Sequence, residues 1–329
     1  MLARSPAFTF TALLSIALGI GATTSIFTLV NAALLRPRPG IADPGTLLDI
    51  GRTDGGRAGF DTVSYPNYAD FRDRATQLAS LAAYDIEPQA VALGGHDDAE
   101  RIFAQVVSAN YFSTLGANPS LGRFFTGGED RPGAEPTVVL SHALWMRRFG
   151  GDAHILSRPV VLNGVQFRVA GVAAPRFQGA TALAPDVWLP ISARLELWPS
   201  PSLLGDRRAS WLMLLGRLTD RATPAQAQAE LSLIASHLER AFPVVNQGRG
   251  IRVFQSGRLP GQIGTAVGAF LALLMAVAGI VLLVACVNLA GLLLARAATR
   301  SHEIGDEALM AIPPQRVGEG DAAPEPDDG

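Results

Sequence analysis

The chain has 329 residues and a net charge of −2, which leaves no basic footprint for nucleic acid. All 27 basic residues are Arg; with no Lys there is neither a Walker A phosphate loop nor Schiff-base chemistry. The single cysteine, Cys286, excludes an internal disulfide or a cysteine metal cage.

Charged residues make up 17% of the chain, against about 25% in soluble domains, and the deficit lies in two stretches. No charge occurs from Ser5 to Leu35 or from Leu259 to Ala295. A membrane-spanning helix needs about 20 apolar residues, so both stretches predict spans, over 8–35 and 264–295. A cleaved signal peptide is the rival reading of the first. Its apolar part is too long for one and ends in LLRPRP rather than at a small-residue cleavage site. Ala17-x-x-x-Gly21 and Gly264-x-x-x-Gly268 have the small-residue spacing that lets helices approach in lipid, although glycine is also simply common there. Neither span carries an ionisable residue, which argues against a conduction path. The expected layout is a cytoplasmic N-terminus (1–7), a span (8–35), an extracytoplasmic domain (36–263), a span (264–295) and a disordered cytoplasmic tail (296–329).

Between the spans the pattern is that of an α+β domain, with two similar subdomains as an option. Leu47–Arg52 reads as a strand. Ser64-Tyr65-Pro66 starts a helix, with Ser64 or Tyr65 near the cap, Pro66 at its first position, and Tyr68, Phe71 and Ala75 at helical spacing. Glu100–Ser108 alternates as a strand through Ile102, Ala104 and Val106. Pro136–Leu140 is a strand followed by a helix capped by Ser141. Asn163-Gly164, between Arg158–Leu162 and Val165–Val172, is a hairpin signal. Trp211–Leu218 reads as a strand buried on both faces. Thr223-Pro224-Ala225-Gln226 is a capping box, and Ala227, Leu231, Ile234, Leu238 and Phe242 follow at helical spacing. Gly250–Gln255 is the last strand.

No catalytic, cofactor or metal residues emerge. His96, His142, His154, His237 and His302 show no metal-ligand spacing, and Ser141 has no nucleophile elbow. Gly127-Gly128-Glu129-Asp130 and Asp97-Asp98 lack the alternation of a calcium loop and read as turns or solvated loops. Trp145, Arg147 and Arg148 read as an exposed helix end anchored by an aromatic.

Several blocks together resemble one family. RSPAFTFTALLSIALGIGATTSIFTLVNAALLRPRP is similar to the first membrane helix of MacB-like permeases. SYPNYADFRDRATQLASLAAY, VSANYFSTLGANPSLGRFFTGGED and VVLSHALWMRRFGGDAHILSRPVVLNGVQFRVAGVAAPRFQG resemble successive blocks of the MacB-like periplasmic core domain, and PDVWLP (Pro185–Pro190) fits the same pattern. VACVNLAGLLLARAATRSHEI resembles the helix opening an FtsX-like permease domain. The resemblance implies an α+β MacB-like periplasmic core flanked by two transmembrane helices in the bacterial inner membrane. It implies a permease subunit of an ABC transporter, paired as a homodimer or heterodimer, with an adaptor in the periplasm as a further partner. ATP hydrolysis would lie in a separate ABC ATPase subunit; this chain would be no enzyme and need no cofactor. The family continues past Glu303-Ile304 with a coupling segment and further spans, whereas here an acidic, Pro-rich tail follows. Truncation near Gly305 is the expectation, an evolved tail the alternative. A membrane-tethered scaffold and an anchored hydrolase are the rival functions.

Overall fold

The computed structural model describes residues 40–256 apart from 56–58, 96–98, 132, 182 and 199–202, with some helical positions between 17 and 28 and between 269 and 291. The chain divides into two units, Val30–Phe270 and a second made of Met1–Leu29 and Leu271–Gly329.

The apolar run WLMLLGRL lies where its composition requires, in the middle of a sheet. Strand β11 (Ser210–Leu218) is flanked by β1 (Leu47–Asp54) and β3 (Leu78–Asp85), both antiparallel to it. β1 pairs on its far side with β12 (Arg249–Gln255), which ends that side of the sheet. Helix α5 (Pro224–Ala241) lies over one face, burying Ala227, Leu231, Ile234 and Leu238 against Leu48, Ile50, Leu212 and Leu214. Its start follows from sequence: the Thr223 backbone N–H donates to Gln226 Oε1 at 2.9 Å, and Gln226 N–H returns to Thr223 Oγ1 at 3.3 Å. Helix α1 (Tyr65–Arg74) adds Tyr68 and Phe71 to the same core.

Two local expectations need correction. Pro66 is the second residue of α1, not the first, because Tyr65 already has helical geometry after the extended Ser64. Phe242 is not part of the α5 core stripe. It follows the last helical residue, precedes Pro243, which disfavours helical geometry there, and lies 37% exposed under the Arg207 guanidinium, 3.8 Å from its ring centre.

β3 and β4 (Gln89–Leu93) run antiparallel along the same partner, β5 (Glu100–Val107). Tyr84 is opposite Val107 and Gln89 opposite Ala104, so five steps on one side match three on the other. The two strands are thus one strand line broken by a bulge at Ile86–Pro88. Beyond it the sheet closes. β5, β4, β8 (Pro159–Leu162), β9 (Val165–Ala173), β7 (Thr137–Leu140) and β10 (Val187–Pro190) form a six-stranded ring, completed by β10 pairing in parallel with β5. Ile102, Ala104, Leu140, Leu162, Phe167, Val172 and Leu189 form its core. Asn163 and Gly164 join β8 to β9 with φ of 47° and 82°, the two positive values of a type I′ hairpin. Ser141 Oγ caps helix α3 (His142–Phe149) by accepting from Leu144 N–H at 3.1 Å.

An aromatic core joins the two parts, with Phe112 stacked on Phe124 at 4.0 Å and packed edge-on to Trp188. β2 (Val63–Ser64), β6 (Pro119–Gly122) and the short helices α2 (Tyr111–Leu115), α4 (Arg194–Leu197) and α6 (Pro243–Asn246) complete the domain. Among the described residues two similar subdomains are not seen. An open antiparallel sheet under α5 and a closed ring belong to one sheet and differ in architecture.

The expected spans 8–35 and 264–295 fall mostly outside the described residues, as do segments 1–7 and 296–329. Among the described residues no helix is long and apolar enough to cross a membrane. Residues 272–284 are helical, and Leu273, Val277, Ile280, Leu283 and Val284 on that stretch are exposed.

Candidate functional site: the strapped chain ends

The chain enters and leaves the domain at one place. Seven register pairs join β1 to β12, from Leu48 opposite Gln255 to Asp54 opposite Arg249. Ser256 N–H donates to Leu47 O at 2.9 Å, and Ser256 Oγ contacts Asp49 Oδ1 at 3.2 Å. The first residues of β1 and the last of β12 are therefore side by side.

The incoming stretch is strapped down by Arg217, at the end of β11. Its guanidinium donates to Ala42 O at 2.8 Å, Asp43 O at 3.4 Å, Thr46 Oγ1 at 2.8 Å and Thr114 O at 2.7 Å. Ala42 N–H also donates to Leu115 O at 3.0 Å. Gly116 permits this approach: its φ is +65°, and a Cβ there would come within 2.6 Å of Ala42 Cβ. Sequence reading missed Arg217. The available signal was a cation near the end of an otherwise apolar buried strand, a residue that must find acceptors.

A second arrangement lies at the bulge between the two parts of the sheet. Asp85, 6% exposed, is 3.8 Å from Arg194, whose guanidinium sits 4.9 Å from the Trp211 ring centre and 5.4 Å from that of Trp198. Burial pushes the Asp85 carboxyl above its ordinary value, opposed by Arg194. The buried Gln105 amide donates to Asp85 O at 3.1 Å and to Thr181 Oγ1 at 3.4 Å. These contacts tie the bulge to α4, β5 and β11.

Gly127-Gly128-Glu129-Asp130 form a turn, one of the two expected readings, with the glycines exposed and the Glu129 side chain turned inward. Glu129 is held by near neighbours in sequence and Asp130 by partners distant in it. Glu129 receives a fork from Arg123 at 2.8 and 2.9 Å and the Thr126 N–H at 2.7 Å. Asp130 accepts from the N–H groups of Ala109 and Ile191, both at 3.0 Å. Nearby, a cleft of about 330 Å³ is lined by Tyr68, Arg72, Asn110, Phe125 and Asp130. Burial pushes the Tyr68 phenol up to about 12, so it serves there as a donor, to Leu81 O at 3.3 Å, and not as a base. Trp145 does anchor its helix end, donating from Nε1 to Asp152 O at 3.0 Å, while Arg147 pairs with Glu100 at 2.9 Å. His96, Asp97, Asp98 and His302 lie outside the described residues. Among the described residues no group of three His, Cys, Asp or Glu could hold a metal ion.

The family model for the MacB-like periplasmic core domain matches residues 9–234. The chain belongs to this family. No curated protein matches it. Among solved structures, a domain of a putative permease protein from Porphyromonas gingivalis is similar at 14% identity and a TM-score of 0.50, covering 69% of this chain and 98% of that one. The periplasmic region of MacB from Actinobacillus actinomycetemcomitans is 14% identical over 71% of this chain and 97% of its own, with a TM-score of 0.49. The extracellular domain of the noncanonic ABC-type transporter YknZ from Gram-positive bacteria is 12% identical, covering 63% and 99%, with a TM-score of 0.45. The likeness to the Porphyromonas domain is one of fold. Within this MacB-like core the family match runs from the first apolar stretch into α5, so the Arg217 strap lies inside it and β12 beyond it.

Proposed function

We propose that the chain is the permease subunit of a MacB-like ABC transporter in the bacterial inner membrane. Residues 8–35 and 264–295 span the bilayer, 36–263 lie in the periplasm, and 1–7 and 296–329 are cytoplasmic. ATP hydrolysis takes place in a partner ABC ATPase, and the permease pairs with a second copy or a related chain and meets an adaptor in the periplasm. The chain's own task is to pass motion from the membrane to the periplasmic domain in export or mechanotransmission.

The observation that carries this reading is the adjacency of Leu47 and Ser256 at one end of the β1–β12 ladder. Displacement of either span arrives there. The Arg217 strap makes the incoming segment part of the domain, so a shift of the first span moves β11 and α2 as one body.

Topology is tested first. With Cys286→Ser as background, a Val244→Cys variant uses a residue 84% exposed on the domain surface. A membrane-impermeant maleimide is expected to label it in intact spheroplasts, while Gly329→Cys labels only after permeabilisation. The reverse pattern would sink the topology. Affinity purification from the native host is then expected to recover an ABC ATPase; its consistent absence would favour a tethered scaffold.

A further inference from the structure

The chain ends meet the sheet at one end, and an open cleft adjoins that end. Leu47 is opposite Arg217 and Leu78 opposite Leu218, so β1 starts, β11 stops and β3 starts there. α1 stops there as well, at Arg74, and α2 is tied in through Thr114 O to Arg217 and through Leu115 O to the Ala42 N–H. Arg72 of α1 and Ser113 of α2 line the cleft together with Tyr68, Phe125, Gly127 and Asp130. Its volume of about 330 Å³ falls in the range of small-molecule sites, roughly 300–1,000 Å³.

The cleft carries one charge of each sign, and no ion pair joins them. Asp130 is held by the N–H groups of Ala109 and Ile191 and, among the described residues, forms no ion pair with a cation. Arg72 meets a carboxylate only through Nε, 2.7 Å from the exposed side chain of Asp73, which leaves its two Nη groups without one. The Arg72 guanidinium lies 5.5 Å from the Tyr68 ring centre. Burial pushes the Asp130 carboxyl up; its backbone N–H partners, and then the charge of Arg72, oppose this. The two charges therefore act on each other through the cleft.

This arrangement selects the guest by its charges. An anion alone would be repelled by Asp130, and an amine alone by Arg72. A guest with both charges a few bonds apart satisfies both, its anionic oxygens on the Arg72 fork and its ammonium on Asp130. Ser113 Oγ donates to Asn110 O at 2.9 Å and so turns lone pairs, not its proton, to such an ammonium. Position then narrows the class. On the reading that 8–35 and 264–295 are spans, the end of the sheet that takes both chain ends lies toward the bilayer, where lipid head groups are the zwitterions at hand.

We propose that this cleft binds the phosphoethanolamine head group of a membrane lipid, with the phosphate on Arg72 and the ammonium on Asp130. The bound lipid ties α1 and α2 to the membrane surface beside the Arg217 strap. The proposal rests on the membrane topology given above for the choice of a lipid, and on the cleft alone for the choice of a zwitterion.

The test titrates the full chain in maltoside detergent, by calorimetry, with dihexanoyl phosphatidylethanolamine, phosphoethanolamine, glycerol phosphate and ethanolamine. The lipid is expected to bind most tightly and phosphoethanolamine next, with the two single-charge compounds about tenfold weaker again or worse. Arg72→Gln is expected to weaken the lipid by about ten- to hundredfold, the equivalent of one hydrogen bond to a charged group. A Cβ on Gly127 would meet nothing within 4 Å, so Gly127→Phe fits without strain. It is expected to block the cleft and abolish binding while leaving Tm unchanged. Lipid binding that survives Gly127→Phe would be partition into the micelle and would overturn the proposal, as would glycerol phosphate binding as tightly as phosphoethanolamine. Equal affinities for the lipid and for phosphoethanolamine would assign the cleft to a soluble zwitterion and overturn the lipid. The titration is made in detergent and the spheroplast labelling decides topology by itself, so the two readings fail separately.

Discussion

Glu129 is 8% exposed and its carboxylate is saturated by the Arg123 fork and Thr126. Burial alone would raise its pKa, but the Arg123 hydrogen bonds and the Thr126 N–H hold it below the usual 4.5. A carboxylate lowered by folding binds fewer protons folded than unfolded. Its contribution is therefore present above the unfolded value and lost as pH falls through the folded one. Glu129→Gln is expected to lose about 1.5–3 kcal/mol at pH 7, the range for a hydrogen bond to a charged group. The gap to wild type should close as pH drops below 4.5, read from urea unfolding at several pH values; a gap constant with pH would refute the account. Asp130 beside it has the opposite sign. Burial pushes it up, so its contribution is present below the unfolded value and lost as pH rises through the folded one. None of this was legible in GGED. The turn is local, but Ala109 and Ile191, which fix Asp130, lie far away in the chain. Arg217 is a similar case: the sequence marks it as a charge that needs acceptors, but only the fold brings Ala42, Thr46 and Thr114 to it.

At the scale of elements, β12 ends the open side of the sheet, and an unpaired edge is a template for association. Gln228 of α5 covers it. Its Nε2 donates to Ile251 O at 3.0 Å and its Oε1 accepts from Val253 N–H at 2.8 Å, the bonds a neighbouring strand would supply. Gln228→Ala is expected to cost about 1–2 kcal/mol and to cause concentration-dependent association beyond that of the wild type, followed by size-exclusion chromatography with light scattering. An unchanged oligomer profile would show that the edge is protected by other means. The capping box of α5, the Asn163-Gly164 hairpin and the buried β11 were legible because each is specified within a few neighbouring residues. β3 and β10 were not. LASLAAYD is rich in Ala and Leu, which favour helix, and becomes strand because β5 and β11 flank it. VWLP has four residues, follows the Pro185-Asp186 turn and ends in Pro190, yet it closes the ring through partners from two different strands.

At the scale of the molecule, among the described residues every strand pairing and the three buried cores involve only residues within 40–256. A fragment 40–256 is therefore expected to fold without the apolar segments and to unfold in one cooperative transition. The role of the strap appears on shortening it to 47–256. That removes Ala42, Asp43 and Thr46 as acceptors for Arg217, together with the Ala42 N–H to Leu115 O bond, and leaves a guanidinium whose only remaining acceptor among these is Thr114 O. The loss is expected to be about 2–4 kcal/mol, and urea unfolding of both fragments measures it. It should be largest in the exchange protection of α2 and of the start of β1, which the strap holds together. Equal stabilities would mean that residues 40–46 only lie against the domain. A displacement of the first span would then reach it through β1 alone, peeling the ladder from Leu48 and Gln255 pair by pair instead of moving the domain as a body.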